Sequence, residues 1–193
     1  MVHRYLMLNK PLGAITTAKD EADRDRKTVL DVIGTTGSRG HRLFPVGRLD
    51  ADSTGLLLLT DDGDLSYRLT HPSYKVAKEY VVTVSGVPSQ EDLDALRTGV
   101  KLDDGLTAPA QVDLVRVINP DQDSGRAVLR VVIREGRRRQ VRRMLHSVGH
   151  KVRNLKRTAF GPLSLGRLNA GEWRELGEGE LAALRRATGL DTK

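Results

Sequence analysis

Residues 47–65 read GRLDADSTGLLLLTDDGDL, and the order of residue types in this stretch sets the frame for the rest of the chain. The apolar run Leu56–Leu59 is uncharged and bounded by Gly55 on one side and Asp61-Asp62-Gly63 on the other. A short continuous apolar run between turn formers is the pattern of a buried strand. Just ahead of it, Asp50 follows Arg48 and Leu49 and precedes the turn formers Asp52, Ser53 and Thr54. A carboxylate on a loop anchored to rigid structure is well placed to act as a nucleophile or a base, and it needs no cofactor for either role. The plain alternative is an aspartate that serves only the turn.

Around this stretch the sequence predicts more strands than helices. His3–Asn9 alternates Tyr5 and Met7 against Leu6 and Leu8 and reads as a first strand, closed by the turn Lys10-Pro11-Leu12-Gly13. Residues 19–27 are charged without apolar period and read as an exposed loop. Thr28–Ile33 reads as a short helix ended by Gly34, Leu43–Val46 leads into the Asp50 segment, and Asp64–Thr70 as a helix stopped by Pro72. Lys78–Ser85 (KEYVVTVS) is a strand with Tyr80, Val82 and Val84 on one face. Ser89-Gln90-Glu91-Asp92 has the form of a capping box ahead of Leu93 and Leu96, with Gly99 as the stop. Val112–Ile118 and Arg126–Ile133 read as strands joined by a hairpin loop over 119–125, and Arg138–Val148 as a helix with Val141, Met144, Leu145 and Val148 on its buried stripe. A strand over Val152–Phe160 and a helix over Glu180–Thr188 complete the chain. Without regular alternation of strand and helix, the expected class is α+β around a mixed, largely antiparallel sheet with flanking helices.

The chain has 193 residues and no cysteine, which excludes a disulfide framework and any cysteine-ligated metal. No apolar stretch approaches membrane-spanning length and Met1–Lys10 has no signal-peptide pattern, so a soluble cytoplasmic protein without a membrane partner is the expectation. Net charge is +7, but residues 134–157 hold ten Lys or Arg against one acid, a local +9 that leaves −2 for the remainder. A basic excess gathered in one segment is the electrostatic footprint of a polyanion partner.

Several motifs together resemble the RNA pseudouridine synthases that modify ribosomal RNA. GRLD followed by Ser-Thr-Gly and an apolar strand, LNKPLG (8–13), KEY (78–80), EGRRRQVRRM (135–144), RTAFGPLSL (157–165) and GEWREL (171–176) carry the likeness, which runs from Leu6 to Leu176. The resemblance implies isomerisation of uridine to pseudouridine in a fold with a central RNA-binding cleft. It implies one catalytic domain over 1–193, or two lobes flanking the cleft. It assigns Asp50 as the catalytic aspartate, Tyr80 as the ring that stacks on the target base and a proton acceptor, and Arg142, two places after Gln140, as the cation paired with the aspartate. Such a cation favours the ionised, reactive carboxylate. Arg48 is implied as an RNA contact near the extruded nucleotide, and Arg137, Arg138, Arg139, Arg143, Lys151, Arg153, Lys156 and Arg157 as RNA-binding cations. On the helical wheel, Arg138 and Arg142 fall at the margin of the buried stripe, with Arg139 and Arg143 pointing away. Lys10 is implied as structural or RNA-facing, and Trp173 reads as a packing anchor.

The family often has histidine where this chain has Arg139, a departure that bears on substrate more than on chemistry. Because Tyr5–Leu12 already matches the start of the catalytic domain, the expectation is a member without the N-terminal S4-type domain. VKLDDG (100–105) and the arginine-dense string point toward the large-subunit branch. The implied partner is ribosomal RNA, with no cofactor and no metal, and a monomer is expected.

Three other readings are open at the level of sequence. A non-catalytic RNA-binding or ribosome-assembly protein of the same fold would use the basic segment equally well. Asp61, Asp62 and Asp64 suggest a magnesium-dependent nuclease, although their Gly-punctuated spacing suits a turn and a helix cap. Asp50, Asp52 and Gly55 imitate the start of a calcium loop, but the twelfth position is Asp61 rather than the bidentate Glu, and four leucines fill the second half. His146 and His150 lack the Glu of a zinc-protease motif and are broken apart by Gly149.

Overall fold

A computed structural model describes residues 3–17, 27–119 and 125–190. Most of the charged loop expected over 19–27 and the tip of the 119–125 connection lie outside the described residues. The chain divides into two compact units, one formed by Met1–Val76 and Arg157–Lys193 and the other by Ala77–Lys156.

The first unit opens with strand β1 (Tyr5–Lys10), helix α1 (Val29–Ser38), the short β2 (Phe44–Pro45), β3 (Thr54–Thr60) and α2 (Gly63–Thr70). The second contributes β4 (Lys78–Ser85), α3 (Gln90–Thr98), the two-residue strands β5 (Lys101–Leu102) and β6 (Gly105–Leu106), β7 (Gln111–Ile118), β8 (Arg126–Ile133) and α4 (Gln140–Ser147). Strand β9 (Val152–Phe160) carries the chain back to β10 (Leu163–Ser164), β11 (Trp173–Glu175) and α5 (Glu178–Thr188). The class is α+β, and β1–β3, β1–β11, β2–β3, β9–β10, β4–β8 and β7–β8 all pair antiparallel.

In the first unit the leucine run is a strand buried on both faces. Leu56 and Leu58 join Tyr5, Met7, Leu65, Leu69, Phe160 and Leu184 in one core, while Leu57 and Leu59 are equally buried on the opposite face. Full burial of a leucine is worth roughly 1.5–3 kcal/mol, so these four residues go far to pin the strand. Local signals set the helix ends. Thr28 and Asp31 form a capping box at α1, and Asp62 caps α2 by accepting the Leu65 amide at 3.0 Å. The expected stop at Gly34 is a kink rather than an end: its φ of +59° breaks the helix, which then continues to Ser38 before Arg39 turns left-handed.

In the second unit β8 lies between β4 and β7. Tyr80, Val82 and Val84 share the buried face of β4 as their alternation predicts, and Ser89 and Asp92 form the expected capping box of α3. Helix α4 departs from expectation. It begins at Gln140, because Arg139 sits in the left-handed region (φ +48°), and it ends before Val148. Arg138 and Arg139 therefore precede the helix, and the helical wheel does not apply to them.

Candidate active site

Asp50 lies on the turn that feeds β3. Its carbonyl accepts the Ser53 amide at 3.0 Å, and Leu49 before it is buried and held by Thr16, whose hydroxyl donates to the Leu49 carbonyl at 2.7 Å. A second turn, Lys10–Gly13, is fastened to the same loop: the Gly13 amide donates to the Ala51 carbonyl at 2.8 Å. Lys10 itself is fully buried, and its ammonium donates to the carbonyls of Ser53 at 2.8 Å and Pro11 at 3.1 Å. Burial lowers the Lys10 pKa to about 8, against the opposing pull of the Asp50 and Asp52 carboxylates. The side chain of Asp50 is half-buried, whereas Arg48 is exposed on the same loop.

The floor beneath this loop is equally constrained. Gly55 has φ +105°, and a Cβ there would stand 2.2 Å from the Arg157 carbonyl oxygen. No residue but glycine fits so close to a neighbouring backbone. Arg157 is only 2% exposed, donates through Nε to the Leu56 carbonyl at 2.8 Å, and lies over the Phe160 ring at 5.0 Å. Arg157 is expected among the RNA-binding cations; in the structure its guanidinium is buried and is a strut under β3. No signal within the sequence of the basic segment distinguishes it, because only the pairing of β9 with its surroundings turns it inward.

Tyr80 is 7% exposed on β4, opposite Val131 of β8. Arg142 is half-buried in α4 beside the core residues Val141 and Met144. The segment entering α4 is tied down by polar contacts. Gln140, almost fully buried, accepts the Arg137 amide at 3.1 Å and donates to Glu135 at 2.5 Å. Arg137 donates to the Gly105 and Leu106 carbonyls at 3.0 and 2.6 Å, and Arg143 grips both Asp104 oxygens at 3.0 and 2.8 Å. The Asp104 carboxyl is held below the ordinary range, first by the Arg143 hydrogen bond. Arg143 thus faces the β5–β6 turn rather than open solvent. The sequence assigns no bracing role to Asp104, Gln140 or Glu135, although the polar Gln140 at the head of an apolar stripe is a signal for one.

The remaining cations are presented differently. Arg138, Arg139, Lys151 and Arg153 are exposed and Lys156 is half-buried. Arg153 donates to the Ser85 hydroxyl at 2.6 Å. His150 bonds the Ser85 carbonyl at 2.9 Å, and His146 is exposed. Two acids of the nuclease reading are occupied in folding: Asp61 meets His41 at 2.6 Å and the Arg4 amide at 2.9 Å, and Asp62 caps α2 while accepting the Tyr5 hydroxyl at 2.7 Å. No group of three metal-ligating side chains occurs among the described residues, and no helix there is long and apolar enough to cross a membrane.

Comparison with known proteins supplies the chemical context. Residues 4–147 match the family model described as RNA pseudouridylate synthase. The chain is 42% identical over 187 residues to an uncharacterized RNA pseudouridine synthase of Aquifex aeolicus, covering 97% of this chain and 72% of that protein. It is 42% identical over 181 residues to the ribosomal large subunit pseudouridine synthase B of Bacillus subtilis, covering 94% and 71%. A crystal structure of a pseudouridylate synthase superposes with a TM-score of 0.81 at 33% identity, over 95% of this chain and 74% of that one.

Proposed function

From the premise that this chain belongs to the RNA pseudouridylate synthase family, we propose that it isomerises a specific uridine in large-subunit ribosomal RNA, with Asp50 as the group that begins the chemistry. Isomerisation of uridine in RNA is the family's reaction. The N1–C1′ bond breaks, the base turns, a C5–C1′ bond forms, and the proton leaving C5 is balanced by one gained at N1. The narrower substrate is supported by the name of the Bacillus subtilis relative and by the family likeness of the arginine-dense string.

The single observation that carries the role of Asp50 is the construction of its loop. A half-buried carboxylate is held on a turn fixed by Thr16, Ser53, Gly13 and a buried lysine, far more structure than a surface turn requires. Preorganised placement of a reacting group is where catalytic advantage originates. In this reading the target uridine leaves its stack at a cost of a few kcal/mol. The Tyr80 ring receives the base, and Arg142 supplies the cation that pairs with the catalytic carboxylate. Arg48 and the exposed cations Arg138, Arg139, Lys151 and Arg153 track the phosphate backbone, each contact steepening log K against log salt by about 0.7–0.9. The protein acts as a monomer in the cytoplasm and needs no cofactor or metal.

The test is a carbodiimide primer-extension map of ribosomal RNA from cells with and without the gene. The expected result is one stop that disappears with the gene and returns with the wild type but not with Asp50→Ala. In vitro, Asp50→Asn should form no pseudouridine while binding RNA as the wild type does. Equal loss of binding in that variant, or turnover by it, contradicts the assignment and favours the non-catalytic alternative.

A further inference from the structure

The turn Lys10-Pro11-Leu12-Gly13 is inside out. Lys10 is 0% exposed and Leu12 is 71% exposed, the most exposed large apolar side chain among the described residues. Proteins seldom bury lysine and expose leucine when two neighbouring positions offer the choice. The inversion follows from where β1 ends: all six of its residues are buried, the last, Lys10, paired with Gly55 of β3, and the chain emerges only in the turn beyond it. The ammonium then ties Pro11 and Ser53 together from beneath, and Gly13, at φ +85° with open space where a Cβ would stand, ties the far side of the turn to Ala51. The consequence is a leucine displayed on a turn that is bonded to the Asp50 turn at Ala51 and at Ser53. A single exposed leucine on a loose loop carries no meaning. One held outward by a buried lysine, on the body that bears the catalytic carboxylate, does.

We propose that Leu12 is an RNA wedge, an apolar tip that enters the base stack beside the target uridine and takes the space the base leaves. Apolar wedges of this kind unstack a base step in exchange for contact with the faces of the neighbouring bases. The proposal rests on the uridine-isomerising reading above and adds to it how extrusion is favoured. Because Leu12 makes its contribution before any bond breaks, it is a positioning residue. Its effect scales with how firmly the target base is stacked at the start.

The test uses the full chain and a stem-loop transcript containing the mapped uridine, labelled with tritium at C5, together with a second transcript in which that uridine lies in an unpaired strand. Leu12→Ala should lower single-turnover tritium release about tenfold on the stem-loop and little on the unpaired strand, with Leu12→Met restoring the rate. In the Asp50→Asn background, 2-aminopurine placed beside the target should brighten on binding, and adding Leu12→Ala should remove that change while binding persists. Equal rates for Leu12→Ala and wild type on both RNAs, with fluorescence unaltered, overturn the wedge and leave the activity standing. Leu12-dependent brightening without tritium release from any RNA by the wild type overturns the activity and leaves the wedge.

Discussion

Titrating the buried lysine gives the sharpest physical test of how the Asp50 loop is built. Burial takes the Lys10 pKa from 10.5 to about 8, a displacement worth about 3 kcal/mol of folding free energy. The sign follows from proton counts. Between about pH 8 and 10.5 the unfolded chain keeps a proton on Lys10 that the folded chain has released, so stability contributed by this residue rises with pH across that window. Below about pH 8 the ammonium is charged in both states and its full burial penalty is present; above 10.5 the penalty is gone. Lys10→Met keeps the volume of the side chain and removes the proton. Urea unfolding of wild type and variant should therefore show a stability difference that moves in favour of the wild type by about 3 kcal/mol between pH 7 and 10.5. The single tryptophan, Trp173, sits on β11 opposite Leu8 of β1, so its emission reports the unit in question. Tyr5, whose pKa is raised by burial and then by Asp62, titrates in both proteins and drops out of the difference. A difference that stays flat with pH, or moves the other way, refutes the account of Lys10 as a buried, charge-penalised anchor.

Two further perturbations address the frame around the site. Gly55→Ala forces a Cβ to 2.2 Å from the Arg157 carbonyl at φ +105°, and should destabilise the protein by at least about 2 kcal/mol with a matching loss of activity; an unchanged melting temperature excludes the close approach. Burial alone would raise the Asp61 pKa, but its bonds to His41, the Arg4 amide and His3 outweigh that and lower it. Its stabilising contribution is complete above the ordinary carboxylate pKa and is lost as pH falls through the lower folded value. Asp61→Asn should accordingly show a shallower acid limb in a plot of stability against pH, and parallel limbs contradict the cluster.

Much of this protein is legible along the chain because the relevant forces are local. The leucine run, the alternation of Tyr80, Val82 and Val84, and the capping box of Ser89 and Asp92 are each read from a few consecutive residues and each is present. Period and caps act within one element, so neighbours in sequence suffice. Charged residues were less legible. Arg157 and Arg153 stand four apart in the same basic segment, yet one is buried against Leu56 and the other exposed beside Ser85. Arg143, which the helical pattern points away from the buried stripe, grips Asp104, 39 residues away.

By itself the sequence determined the longer strands and helices, the α+β class and the position of the carboxylate ahead of a buried strand, since hydrophobic period and turn chemistry are properties of short segments; the two- and three-residue strands β5, β6, β10 and β11 were not among them. Only tertiary structure decided which cations reach solvent and which become struts, and that Lys10 turns in while Leu12 turns out. Those outcomes depend on strand register and on the backbone carbonyls that distant segments bring within reach, and no window of consecutive residues contains them.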